Sequence, residues 1–203
     1  MRIVEEKFFI REGTFSKSAT FEDVLQDIRD GISSITYPAG SQGFSVNPVK
    51  NGNGVKPIKE NLIAHLRQRG WRHESRFKII DGINAGPIDS VISTEHGEFA
   101  IEWETGNISS SHRALNKIAV GIIQKHIIGG ILIVPERDFA QYLTDRIGNY
   151  REIKPYFVMY DSLQITEGIM GVISVTYDKL DPTVPLIPKG NDGNSKKRTP
   201  TKK

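Results

Sequence analysis

Between Glu98 and Pro135 the chain changes its hydrophobic period twice, and that constrains its fold more than any other feature. Glu98-Phe99-Ala100-Ile101-Glu102-Trp103-Glu104 ends in an alternation of apolar and charged residues, the two-residue period of a strand. Leu115, Ile118, Ala119, Ile122 and Ile123 then recur at helical spacing, within a helix expected over Ser109 to Ile127. Gly130-Ile131-Leu132-Ile133-Val134 is wholly apolar and stops at Pro135, as a strand buried on both faces does. Strand, helix and strand form a βαβ unit whose right-handed crossover leaves the two strands parallel. The expected class is α/β, a mixed central sheet flanked by helices.

The flanking elements fit such a sheet. Arg2 to Ile10 is strand-like, or the start of a helix. Thr20 is an expected N-cap for a core-packing helix carrying Val24, Leu25, Ile28 and Ile32. Residues 36–56 collect Gly, Asn, Ser and Pro without apolar periodicity and read as a long loop. Pro57 then suits a helix N1 position, with Ile58, Leu62, Ile63 and Leu66 as the apolar stripe and Gly70 as the C′ residue. Strands are expected at Trp71 to Ile80, at the segment carrying Asp89, at Tyr156 to Tyr160 and at Ile169 to Tyr177. Asp81-Gly82 and Glu95-His96-Gly97 read as turns, and Asp138 to Ile147 as a helix.

A chain of 203 residues suits one domain, here 1–180, followed by a basic tail at 181–203 that is expected to be disordered. The tail holds six basic groups and two acids, so its +4 more than accounts for the net +3 and residues 1–180 carry −1. Net charge therefore does not argue for a nucleic-acid partner, and only a local basic patch can. The absence of cysteine excludes disulfides and thiolate zinc sites. With neither a signal-like segment nor a long apolar run, the expected location is the cytoplasm.

The chemistry concentrates in three acids. Asp89, in Gly86-Pro87-Ile88-Asp89, precedes Glu102 by thirteen residues, and Glu102 and Glu104 share one face of their strand. Such neighbours repel each other unless the face meets water or a divalent cation, and Mg²⁺ is the cation that carboxylate and phosphate oxygens hold jointly. A Glu-x-Glu on the solvent side of a strand is also an ordinary surface pattern.

In these residues the chain resembles the PD-(D/E)xK nucleases, and within them the BamHI, BglII and BstYI group of type II restriction endonucleases. The resemblance covers about residues 57–134 and includes Gly106-Asn107-Ile108-Ser109-Ser110 after the catalytic strand. It departs from the family pattern in having Ile88 between Pro87 and Asp89. It implies a restriction-endonuclease-like sheet, with Asp89 and Glu102 as metal ligands and Glu104 where most of the superfamily has lysine. It also implies an acid from the preceding helix, for which Glu60 is the candidate by position. A first-turn glutamate equally suits the helix dipole.

Further DNA contacts are expected from Arg113 and Lys117, from Asn107, Ser109 and Ser110 at the helix start, and from Asn47 and Lys50 in the long loop. A solvated basic face explains Arg113 and Lys117 as well. Mg²⁺-dependent cleavage of double-stranded DNA by a homodimer, at a palindrome that the BglII and BstYI likeness centres on GATC, is the leading expectation, leaving 5′-phosphate and 3′-hydroxyl ends. Val120 and Ile127 are candidates for the dimer surface. A structure-specific or repair nuclease and a non-catalytic DNA-binding module are the alternatives. The five histidines show no short ligand pair, which argues against a zinc hydrolase.

Overall fold

The computed structural model describes residues 1–76, 78–144 and 146–190. Its centre is a six-stranded sheet built from β1 (Arg2–Glu12), β3 (Arg72–Ser75), β4 (Ile88–Thr94), β5 (Gly97–Trp103), β6 (Gly129–Pro135) and β7 (Gly168–Thr176), in the order β1-β7-β6-β5-β4-β3. β5, β6 and β7 run parallel, while β1 and the β3–β4 edge are antiparallel to their neighbours, so the sheet is mixed. The expected βαβ unit is present: α3 (Ile108–Ile123) links β5 to β6.

Strand alternation divides the core into two layers. Phe99, Ile101 and Trp103 of β5 point to the side covered by α1 (Ala19–Ser33) and α2 (Lys56–Gln68), where they meet Leu25, Ile28, Leu62 and Leu66. Ala100, with Leu132 and Val134 of β6, points to the opposite side, against Leu115, Ile118 and Ile122 of α3. Glu102 shares the parity of Ala100. The acidic face of β5 therefore lies under a helix, and of the two expected surroundings, water or a divalent cation, open water is not the one Glu102 meets.

Local chemistry sets the helix ends. Ser18, not Thr20, caps α1, its Oγ accepting from Phe21 N at 3.1 Å, while Thr20 donates to Glu95. The Gly70 end follows expectation. Its φ of +88° lets Trp71 N reach Leu66 O at 3.1 Å and Gly70 N reach Arg67 O at 3.1 Å, closing the carbonyls of the last turn. Pro57 stands in the first turn of α2 behind an N-cap at Val55.

Several expectations need correction. The strand expected over Trp71 to Ile80 is only Arg72–Ser75, within which Glu74 takes a left-handed φ of +46°. The helix expected over Asp138 to Ile147 is the single turn α4 (Arg137–Ala140). Tyr156 to Tyr160 is not a strand: α5 (Tyr150–Ile153), a 3-10 turn and α6 (Phe157–Asp161) occupy that segment. There the Glu152 carboxylate accepts from Asn149 N at 3.3 Å and fixes a helical start.

The long segment 36–56 is tied down as well. Its β2 (Ser45–Val46) pairs in parallel with β8 (Lys179–Leu180), and Phe44 and Val46 are buried. The expected disorder from Asp181 onward does not hold for residues 181–190. Ile187 is buried, Gly54 N donates to Ile187 O at 2.8 Å, and Ile187 N donates to Asn53 Oδ1 at 3.2 Å. Ile187 supplies the apolar anchor, while its neighbour Leu186 stays exposed. Residues 191–203 lie outside the described residues. Among the described residues no helix is long and apolar enough to cross a membrane.

Candidate active site

The three acids converge on one cleft of about 450 Å³ at the C-terminal end of β5. The antiparallel register of β4 and β5 pairs Ser90 with Ile101, and one step further sets Asp89 opposite Glu102 on the same face. Trp103 N donates to Asp89 Oδ2 at 2.9 Å, which anchors that carboxylate to the neighbouring strand. Glu104 lies just past the end of β5, and its Oε1 accepts from Gly106 N at 2.6 Å.

Each of the two expected metal ligands already faces an ammonium group. Lys59 Nζ of α2 lies 2.5 Å from Asp89 Oδ1. Lys117 of α3 forms an ion pair with Glu102 and also donates to Pro87 O at 3.2 Å. This second pair is buried, with side chains only 10% and 9% exposed. Lys117 is thus not on a solvated outer face, the alternative to a DNA contact that its position on α3 left open. Its long stem carries the charge back beneath the helix to Glu102.

Electrostatics differ along the acidic face. Burial pushes the Glu102 carboxyl up from the ordinary glutamate range, the Lys117 ammonium pulls it down and Asp89 pushes it up, leaving it raised. Glu104 is also raised, chiefly by burial, against the Gly106 hydrogen bond and the charges of Arg113 and Lys59. A carboxylate shifted in this direction holds a proton more readily, which suits a proton acceptor.

The other expected residues divide. Arg113 and Ser110 line the cleft beside the acids. Asn107 caps α3 by accepting from Ser110 N at 3.1 Å, which leaves the capping role to Asn107 and not to the serines. Asn107 and Ser109 are exposed at that helix start. Asn47 lies elsewhere, its Nδ2 donating to Pro182 O and Val184 O at 3.2 and 2.8 Å, so it clamps the C-terminal segment. Lys50 is exposed on a separate cleft with Arg2, Arg137 and Arg151. Ile127 is buried within its own core and is not available to a partner, while Val120 is half-buried.

Glu60 is exposed and does not line the acidic cleft; Lys59 is the residue of α2 that reaches it. Helical spacing held the signal. Lys59 precedes buried Ile63 by four residues, whereas Glu60 precedes exposed Ala64. A further acid, Glu74, falls opposite Asp89 by the register of β3 and β4, with its side chain 68% exposed.

Carboxylate oxygens are suitable donors for a hard cation. Among the described residues, however, no three Asp, Glu or His side chains stand together as a cage. Asp89 and Glu102 fit the cation as a pair, with their ammonium partners as its competitors.

Comparison with known proteins agrees with this arrangement. The chain matches the family described as restriction endonuclease BamHI over residues 1–194. It is 45% identical to the type II restriction enzyme OkrAI of Oceanobacter kriegii, covering 85% of this chain and 89% of that one. It is 36% identical to the type II restriction enzyme BamHI of Bacillus amyloliquefaciens, covering 96% and 93%. Among solved structures, restriction endonuclease BglII complexed with a DNA 16-mer superposes with a TM-score of 0.62 at 8% identity, over 88% of this chain and 79% of that one. Mixed sheet, acidic cleft and sequence all lead to one assignment: the chain belongs to the BamHI family of restriction endonucleases.

Proposed function

We propose that this restriction endonuclease hydrolyses phosphodiester bonds of double-stranded DNA at a short palindrome, centred on GATC by its family likeness, with Mg²⁺ held by Asp89 and Glu102. The observation that carries this reading is the convergence of Asp89, Glu102 and Glu104 with Arg113 and Lys117 on one cleft. Mg²⁺ would supply Lewis acidity and charge neutralisation at the scissile phosphate.

Glu104, raised by burial, accepts the proton of the attacking water. Arg113 and Lys59 place positive charge where the phosphate gains negative charge. Water oxygen bonds to phosphorus as the bond to O3′ breaks, and the O3′ leaving group takes up a proton. The ends are a 5′-phosphate and a 3′-hydroxyl. Asn107, Ser109 and Ser110 at the start of α3 offer polar groups to DNA beside the cleft.

One site per chain cuts both strands of a palindrome only if two chains meet about a two-fold axis. Tyr156, Val158 and Met159 are exposed, and Tyr156 stacks edge-on against His112 of α3; together they supply an apolar surface for such a homodimer.

The test is incubation of purified protein with unmethylated bacteriophage DNA, with Mg²⁺ or with EDTA, followed by sequencing of fragment ends. Discrete Mg²⁺-dependent fragments sharing one palindrome support the reading. No cleavage, or ends without a common sequence, overturns it.

A further inference from the structure

Free of DNA, the cleft is close to electrically neutral. Asp89, Glu102 and Glu104 contribute three negative groups, while Lys59, Lys117 and Arg113 contribute three positive ones. Two of these cations are not spread through the cleft but pair individually, Lys59 with Asp89 at 2.5 Å and Lys117 with Glu102. They also come from opposite layers of the protein, Lys59 from α2 and Lys117 from α3. Each carboxylate expected to hold the metal is thus blocked from a different side.

A divalent cation entering this cleft meets carboxylates already compensated, with two ammonium groups nearby that repel it. Both effects weaken its binding. An entering phosphodiester changes this balance. Its negative charge attracts the ammonium groups, adds oxygen donors and leaves the cleft with a net charge of −1 for the cation to neutralise. The long, flexible lysine stems can make that move without displacing a backbone element.

From these two contacts, and resting on the nuclease reading above, we infer that Lys59 and Lys117 are internal counter-ions that keep divalent cations out of the free protein and release Asp89 and Glu102 when a DNA phosphate draws them away. They are positioning residues in this role, setting the order of binding: DNA first, metal second. The arrangement also gives the buried Glu102 and the partly buried Asp89 a compensating charge each.

The test uses Ca²⁺ binding to the full chain by titration calorimetry, without DNA, so that the readout is independent of cleavage. Lys59→Met and Lys117→Met are each expected to bind Ca²⁺ at least tenfold more tightly than the parent. Adding Asp89→Asn to Lys59→Met is expected to remove that gain. Circular dichroism melts establish that each variant is folded. If Lys117→Met does not fold, Lys59→Met decides alone, since its side chain is 34% exposed and its removal leaves Asp89 hydrogen-bonded to Trp103 N.

Unchanged Ca²⁺ affinity in folded variants overturns the inference, as does a gain that survives Asp89→Asn. The two readings fail separately. Tighter Ca²⁺ binding by the variants with no DNA cleavage by the parent protein leaves the counter-ion role standing and removes the nuclease; cleavage by the parent without tighter binding by the variants does the reverse.

Discussion

Trp103 N donates to Asp89 Oδ2 at 2.9 Å, so the carboxylate borne by one strand is held by the backbone of the next. An asparagine carbonyl oxygen can accept the same hydrogen bond. Asp89→Asn is therefore expected to preserve the local fold while removing the charge. Cleavage should fall about 1,000-fold, the scale on which loss of one group stabilising developing charge registers, with DNA binding in EDTA retained. Gel-shift and single-turnover cleavage assays on the same preparation separate these effects.

Glu104→Gln tests the proton acceptor. Glutamine can keep the contact with Gly106 N, which is 2.6 Å in length, but cannot take a proton. The expected result is a kcat lowered by about 10²- to 10⁴-fold with little change in KM. Equal loss in KM would instead indicate a role in binding.

The buried pair of Lys117 and Glu102 predicts an asymmetry in stability. Lys117→Met leaves Glu102 without its ammonium and should cost about 3–5 kcal/mol, whereas Lys117→Met with Glu102→Gln should recover much of that loss. Urea unfolding of the parent, both single variants and the double variant measures the coupling.

Asn53 joins three distant segments. Its Nδ2 donates to Asn47 O at 2.8 Å and Tyr142 O at 2.9 Å, and its Oδ1 accepts from Ile187 N. Asn53→Ala should destabilise the protein by about 2–4 kcal/mol by leaving buried backbone groups unpaired. Limited proteolysis should then cut first near Ile187, and cutting elsewhere would argue against this join.

Glu167 supplies a pH dependence. Hydrogen bonds from Thr14 N at 3.0 Å and Phe15 N at 3.2 Å hold its carboxyl below the ordinary glutamate range. The folded state thus binds this proton less readily than the unfolded state. The contribution to stability is present above the ordinary carboxylate value and is lost as pH falls through the lowered one. Glu167→Gln should have a lower Tm than the parent at neutral pH, with the difference closing below about pH 4. Thermal melts across this range give the sign directly.

The centre of the fold was legible in the sequence because its signals were local. Alternation in β5, helical spacing in α3 and the apolar run of β6 each follow from a residue's immediate neighbours. Asp89 and Glu102 were picked out by the family resemblance and not by their loose spacing, and the cleft brings them together. What the sequence hid depended on distant partners. Lys117 read equally as a DNA contact or a solvated surface charge, because the buried Glu102 that receives it belongs to another element. Asn47 appeared available for DNA because Pro182 and Val184, which occupy its donors, lie far away in the chain. Tyr156 to Tyr160 has strand-like residues, but the Asn149 and Glu152 contact had already committed the segment to helical turns.

Arg113 and Lys117 lie one helical turn apart on α3 and both reach the cleft that holds Glu104. The positive charge around Glu104 therefore comes through space from a neighbouring helix and not from its own strand. A substitution at Glu104 is thus interpretable only together with the basic residues that α3 brings to the same cleft.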